Sequence, residues 1–201
     1  MTTGTPVTAG LCADHWNHGA MTVEQFYAFA DTRPDEEKWE LIEGEPVLNA
    51  APSLLHQRIA GNIFFIFRMK EREGNVPWSV VQELGVRVSD TSRPEPDVLV
   101  FPRRHYLSDK QRDLNEVFAV FEVLSPSTEK RDLGWKRKVY PSLASLTYYV
   151  VVSQDTVNVM VFARDDAFGG RRYQSLEEVI DLPLLGISVP LAEIYHDTGL
   201  M

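Results

Sequence analysis

The 201-residue chain holds one cysteine, Cys12, so it can form no intrachain disulfide and no cysteine-rich zinc cage. It has no apolar run near the roughly 20 residues that a membrane-crossing helix needs. Its first residues, MTTGTPVTAGLCADH, show neither the basic start nor the apolar block of a signal peptide. These features together lead us to expect a cytoplasmic protein away from membranes. Cys12 has no neighbouring Lys or Arg to favour a thiolate and is read as inert. No Gly-x-Ser-x-Gly string occurs, so Ser125 and Ser127 read as loop and cap residues, not as hydrolase nucleophiles. Internal repeats and low-complexity tracts are missing as well. Basic charge is in short supply: 20 Lys and Arg face 29 Asp and Glu, for a net charge of −9. That balance argues against a broad basic face coating nucleic acid.

The charge is unevenly spread. Residues 1–50 hold nine acids and two bases, and residues 151–201 hold eight acids and three bases. Residues 103–138 reverse the sign, with nine bases and six acids. The apolar content of 44% suits one ordinary domain over residues 21–201, preceded by a flexible arm over residues 1–20.

Thr22 reads as the N-cap of a short helix, and KWELIEGEPVLNA as a hairpin turning at Glu43-Gly44-Glu45. Ser53 caps the longest helix, in which Leu55, Ile59, Ile63, Ile66 and Phe67 recur at helical spacing and Gly74 marks the stop. PWSVVQ, GVRVS, DVLVF, VFAVFEVL, TYYVVV and NVMVFAR read as strands. A helix from about Glu129 to Tyr140 separates two of them, which makes a right-handed βαβ unit. The expected fold is mixed α/β, with a central sheet flanked by helices.

Two acids interrupt apolar strands. Asp97 opens DVLVF after Pro94-Glu95-Pro96, and Glu122 lies inside FAVFEVL. A carboxylate among Val, Phe and Leu is costly unless it is paired or binds a metal. Two of them on adjacent strands can hold a hard cation such as Mg²⁺ or Mn²⁺; pairing with an arginine is the competing reading. In the following helix Asp132, Lys136 and Tyr140 are spaced i, i+4, i+8 and share a face. Lys136 can reach back over the carboxylates, or simply pair with Asp132. Lys130, Arg131, Arg137 and Lys138 fall on the solvated side of that helix, where they can also touch phosphates.

PEPDVLVF, FEVLSPSTEKRDLGWKRKVY and TYYVVV, together with WELIEGEPVLNAAPSLLHQRIAGNI, resemble the Uma-two family of restriction-endonuclease-like proteins. The likeness runs over about residues 20 to 195. It implies a PD-(D/E)XK nuclease-type core in which two acids and a lysine hydrolyse phosphodiester bonds with Mg²⁺. By this resemblance Asp97 matches the PD acid and Glu122 the second acid. Leu124 stands where the superfamily pattern has lysine, so the lysine role moves to Lys136. Glu40 matches an early acid that completes the metal shell. Around this core His56, Gln82, Asp132 and Tyr140 are expected to support the site. Arg103, Arg104 and His105 read as a solvated loop that can serve as a phosphate-facing rim.

The expected function is a Mg²⁺-dependent endonuclease acting on nucleic acid, with DNA preferred. Pairing of two copies as a homodimer would suit duplex cleavage. The competing function is a catalytically inactive module of the same fold that works by binding, which the missing lysine at 124 and the acidic charge favour.

Overall fold

The computed structural model describes residues 19–103, 108 and 110–200. The expected arm over residues 1–20 lies almost wholly outside them, as do Cys12, Arg104 and His105.

The described residues open with α1 (Val23–Ala30), held by a reciprocal cap in which Gln25 N–H donates to the Thr22 hydroxyl and Thr22 N–H to the Gln25 side chain. β1 (Lys38–Ile42) and β2 (Glu45–Asn49) form the hairpin. Its two-residue loop, Glu43-Gly44, has positive φ at both positions, the conformation that matches strand twist in tight hairpins. A side chain at Gly44 would also meet Ala20 at 2.4 Å. The hairpin lies outside the main sheet. It is tied there by a bridge between Leu41 and Arg93, whose backbones exchange hydrogen bonds of 2.7 and 3.1 Å.

α2 (Leu54–Arg72) follows, with the Ser53 hydroxyl accepting from His56 N–H and Gly74 just beyond its end at φ +84°. Next come β3 (Trp78–Gln82), β4 (Gly85–Val86), β5 (Val98–Pro102), β6 (Asp113–Leu114) and β7 (Ala119–Val123). GVRVS therefore yields a strand of only two residues, because Val86 pairs with Leu114 in a small parallel bridge and the chain then turns at Ser89–Ser92. The chain continues with a helical stretch ending in α3 (Arg137–Val139), then β8 (Tyr148–Val152), β9 (Val159–Ala163) and β10 (Arg171–Tyr173). It closes on the β11 (Val179–Leu182) and β12 (Ile187–Pro190) hairpin and α4 (Leu191–Ile194).

The central sheet has six strands in the order β10-β9-β8-β7-β5-β3. Only β7 and β8 are parallel, and they are the pair joined by the expected helical crossover. Alternation along the strands divides the core in two. Val98, Val100 and Phe121 face Ile59, Ile63 and Phe67 of α2, and the C-terminal hairpin closes the same layer. Leu99, Val120, Tyr149 and Val151 face Tyr140 and Leu143. Glu122 alternates with Phe121 and Val123, so it shares this second face. Val98 pairs with Phe121, so one step further along Asp97 falls opposite Glu122.

Candidate active site

The helix predicted over 129–140 is present, but Arg131–Lys136 within it is wound as a π-helix. Insertions of this kind concentrate at functional sites. The wider turn keeps Asp132 and Lys136 on one side, 3.1 Å apart, and both are buried. The Tyr149 hydroxyl donates to the Asp132 carbonyl at 2.9 Å and fixes this segment to β8.

Lys136 ends in a ring of carboxylates. Its Nζ lies 2.8 Å from Glu122 Oε1, 2.9 Å from Glu40 Oε1 and 3.1 Å from Asp132 Oδ1. The ammonium is thus enclosed by three carboxylates: it donates a hydrogen bond to Glu122 Oε1, while Asp132 Oδ1, which has no hydrogen-bond partner, is held by charge alone. Tyr140 is fully buried, and its hydroxyl donates to Glu122 Oε1 at 3.0 Å. Glu40 reaches the lysine from β1, behind the sheet. Its Oε1 also accepts Glu95 N–H at 2.8 Å, and its Oε2 lies 2.8 Å from Arg131 Nη2.

Asp97 and Glu122 meet at the floor of an open cleft of about 280 Å³. Asp97 Oδ2 accepts Val123 N–H at 2.7 Å, which ties it to β7, and stands 3.4 Å from His56 Nε2. One wall carries His56, Ser53 and Gln154, the last two hydrogen-bonded at 2.8 Å. The other carries Ser125, Ser127, Thr128 and Arg131.

Glu40, Asp97, Glu122 and Asp132 outnumber Lys136 and Arg131, leaving the centre with excess negative charge. Burial pushes the Glu122 carboxyl well above the usual carboxylate range; Lys136 opposes this, while Asp132, Asp97 and Glu40 add to it. Burial alone would lower the Lys136 ammonium, but Glu122, Glu40 and Asp132 hold it well above the ordinary lysine value. Glu40 moves the other way. Burial would raise it, yet Lys136, Arg131 and Glu95 N–H keep it below its ordinary value. Asp97 acts in the same manner on His56, whose imidazole is raised despite burial.

The donor set fits a hard divalent cation through two carboxylates. The bonds above use Oδ2 of Asp97 and Oε1 of Glu122 and leave the second oxygen of each outside them. Mg²⁺ is commonly held by one or two carboxylates, with water and substrate oxygens completing the octahedron. The expected third ligand, Glu40, is not at the cleft: both of its oxygens face Lys136 and Arg131. Among the described residues, no three His, Cys, Asp or Glu gather at metal-ligand spacing.

The structure thus brings Asp97, Glu122, Lys136 and His56 to the cleft, with Glu40, Asp132 and Tyr140 packed behind. Gln82 stands apart, at the end of β3 opposite Val98, and does not line the cleft. Arg131, which helical spacing puts on the solvated side, turns instead into the cleft wall, held by Asn49 Oδ1 at 2.5 Å and by Glu40. Ser53, which the sequence marks only as a helix cap, and Gln154, which no local pattern marks, also join the wall, 101 positions apart.

Fold and cleft together define a nuclease-like α/β domain. A crystal structure titled as "a putative nuclease belonging to DUF820" from Anabaena variabilis superposes with a TM-score of 0.70, covering 87% of this chain and 97% of that one at 15% identity. At that identity the likeness establishes the fold. The chain belongs to the Uma2 family, described as "Putative restriction endonuclease", whose model matches residues 23–192. Among curated proteins none matches the sequence. No helix of the described residues is long and apolar enough to cross a membrane.

Proposed function

We propose that the cleft hydrolyses phosphodiester bonds of nucleic acid, with DNA the preferred substrate, using Mg²⁺ or Mn²⁺ held by Asp97 and Glu122. The carrying observation is the pair itself: two carboxylates opposite each other across β5 and β7, at the base of a cleft with excess negative charge. The family description and the nuclease title of the structural neighbour support the same reading. A cation bound there lowers the pKa of a coordinated water and polarises a phosphate oxygen.

The protein's own groups prepare that site. Val123 N–H fixes Asp97, while Tyr140 and Lys136 fix Glu122, so the carboxylates are preorganised. Lys136 keeps Glu122 ionisable despite burial. His56, beside Asp97, is placed to hold or pass a proton at the cleft wall. Cutting both strands of a duplex would call for two such clefts, hence two copies of the chain.

Asp97→Ala and Glu122→Ala should each abolish Mn²⁺-dependent cleavage of an oligonucleotide while circular dichroism shows the fold retained. Continued cleavage by both variants would remove this mechanism. The reading as a binding module has one observation in its favour, the enclosure of the buried Lys136 ammonium by three carboxylates. Calorimetry separates the two readings: no heat of Mg²⁺ or Mn²⁺ binding at millimolar metal supports the module.

A further inference from the structure

Phosphodiester hydrolysis needs positive charge on the phosphate as negative charge develops there. The lysine of this site is poorly placed to supply it. Lys136 is enclosed by the carboxylates of Glu40, Glu122 and Asp132, and it is only 2% exposed. Among the described residues, the other Lys and Arg side chains lining the cleft are Lys38 and Arg131. Lys38 sits at the rim in an ion pair with Glu83, and both side chains are more than a third exposed.

Arg131 is differently arranged. Its contacts with Glu40 Oε2 and Asn49 Oδ1 both fall on Nη2. Its Nε is buried and has no hydrogen-bond partner. Glu40 Oε2 has no aligned hydrogen bond either, although Nη2 is 2.8 Å away. The pair is therefore held by charge rather than by a matched fork. A guanidinium has five N–H donors, so most of this one's capacity is unused. The side chain is 17% exposed, on the wall that also carries Ser125, Ser127 and Thr128.

We infer that Arg131, not Lys136, contacts the substrate phosphate, turning its planar fork from Glu40 and Asn49 onto two phosphate oxygens. The inference rests on the hydrolase reading above. The two cations then have separate roles, in which Lys136 orders the carboxylates and Arg131 neutralises the substrate. This also accounts for Leu124 at the usual lysine position, since the phosphate-facing cation arrives from the helix instead. Bidentate contact of this kind suits arginine and cannot be reproduced by a lysine ammonium.

The test uses the full chain, a phosphorothioate single-stranded oligonucleotide that resists cleavage, and Ca²⁺ for binding. Arg131→Gln should weaken binding about tenfold and reduce the slope of log affinity against log salt by about one phosphate's worth, ~0.7. Arg131→Lys should recover the salt slope but not the turnover. In Mn²⁺, kcat/KM of Arg131→Ala should fall by about 10² to 10³. Free guanidinium should restore part of it, which a purely structural arginine would not allow. Because Arg131→Gln leaves the buried Glu40 with Lys136 as its remaining cation, the Glu40→Gln/Arg131→Gln pair provides a variant without that buried charge. Wild-type affinity and salt slope in both variants would overturn the inference while leaving the hydrolase reading intact. If the wild type binds but does not cleave, and Arg131→Gln still loses the slope, the hydrolase reading falls and the phosphate contact stands. If the wild type neither binds nor cleaves, both fall.

Discussion

Replacing Lys136 by methionine keeps much of the side-chain volume and removes one charge from the centre of three carboxylates. All three lose a partner at 2.8–3.1 Å, and of the three only Glu40 keeps a cation, Arg131. The carboxylates cannot escape to water, because Glu40 is 0% and Asp132 1% exposed. Removing one member of a buried ion pair costs about 3–5 kcal/mol, mainly through the charge left behind. With a urea m-value of about 2 kcal/mol per molar, the unfolding midpoint should fall by about 2 M near pH 8. The loss should shrink near pH 5. Burial already raises the folded-state pKa of Glu122 above its unfolded value, and removing Lys136 raises it further. A group shifted in that direction favours the folded state below its unfolded pKa and loses the advantage as pH rises through the folded value. Protonation at lower pH thus relieves the stranded charge. Equilibrium urea unfolding at the two pH values, followed by tryptophan fluorescence, measures both effects. A midpoint shift below about 0.5 M, or an equal shift at both pH values, would refute the buried-charge account. Adding Glu122→Gln to Lys136→Met should recover part of the loss near pH 8.

Two further substitutions probe how the site is built. Gly85→Ala would place a Cβ 2.0 Å from Arg93 Nε, and Arg93 is held by Glu95 and the Arg112 carbonyl. Its midpoint in thermal melting should drop, with a cost of about 1–3 kcal/mol; an unchanged midpoint would show that the arginine moves aside freely. Tyr140→Phe removes the hydroxyl donated to Glu122 Oε1 and should cost about 1.5–3 kcal/mol, as for a hydrogen bond to a charged group. Urea unfolding checks this value, and a cost near zero would mean that Glu122 does not depend on the hydroxyl.

The parts of the site that sequence periodicity could reach are the ones it placed well. Glu122 stood out because a single acid broke an apolar strand. The i, i+4, i+8 spacing put Asp132, Lys136 and Tyr140 together, and the π-helical winding preserved that face. What spacing cannot carry is contact across the chain. Glu40 is 96 positions from Lys136, and nothing local says that its oxygens are taken by cations instead of facing a metal. Arg131 was misplaced for a related reason. An α-helical wheel puts it toward solvent, while the wider π-helical turn and the pull of Asn49 and Glu40 bring it to the cleft. GVRVS looked like a full strand because its alternation is strand-like; pairing with β6 instead ends where Arg87 N–H meets the Leu114 carbonyl, and the chain turns back on itself between Ser89 and Ser92. Gln82, expected to support the site, is left opposite Val98 by the register.

The hairpin that delivers Glu40 is attached to the body by one short bridge, by packing of Leu41 against α1 and by side-chain contacts with Arg131, Trp135 and Lys136, not by a place in the six-stranded sheet. Side chains on a strand change face at every residue. A slip of one position in β1 would therefore offer Trp39 or Leu41 to the lysine in place of the carboxylate. The hairpin thus behaves as a separate stopper for the rear of the centre. Its Glu43-Gly44 turn, which sets the register, governs the lysine's electrostatics from a distance and, through the lysine, the Glu122 carboxylate. Changes in turn length would tune the site from behind and, through Glu40 and Asn49, would also reset Arg131 at the cleft wall.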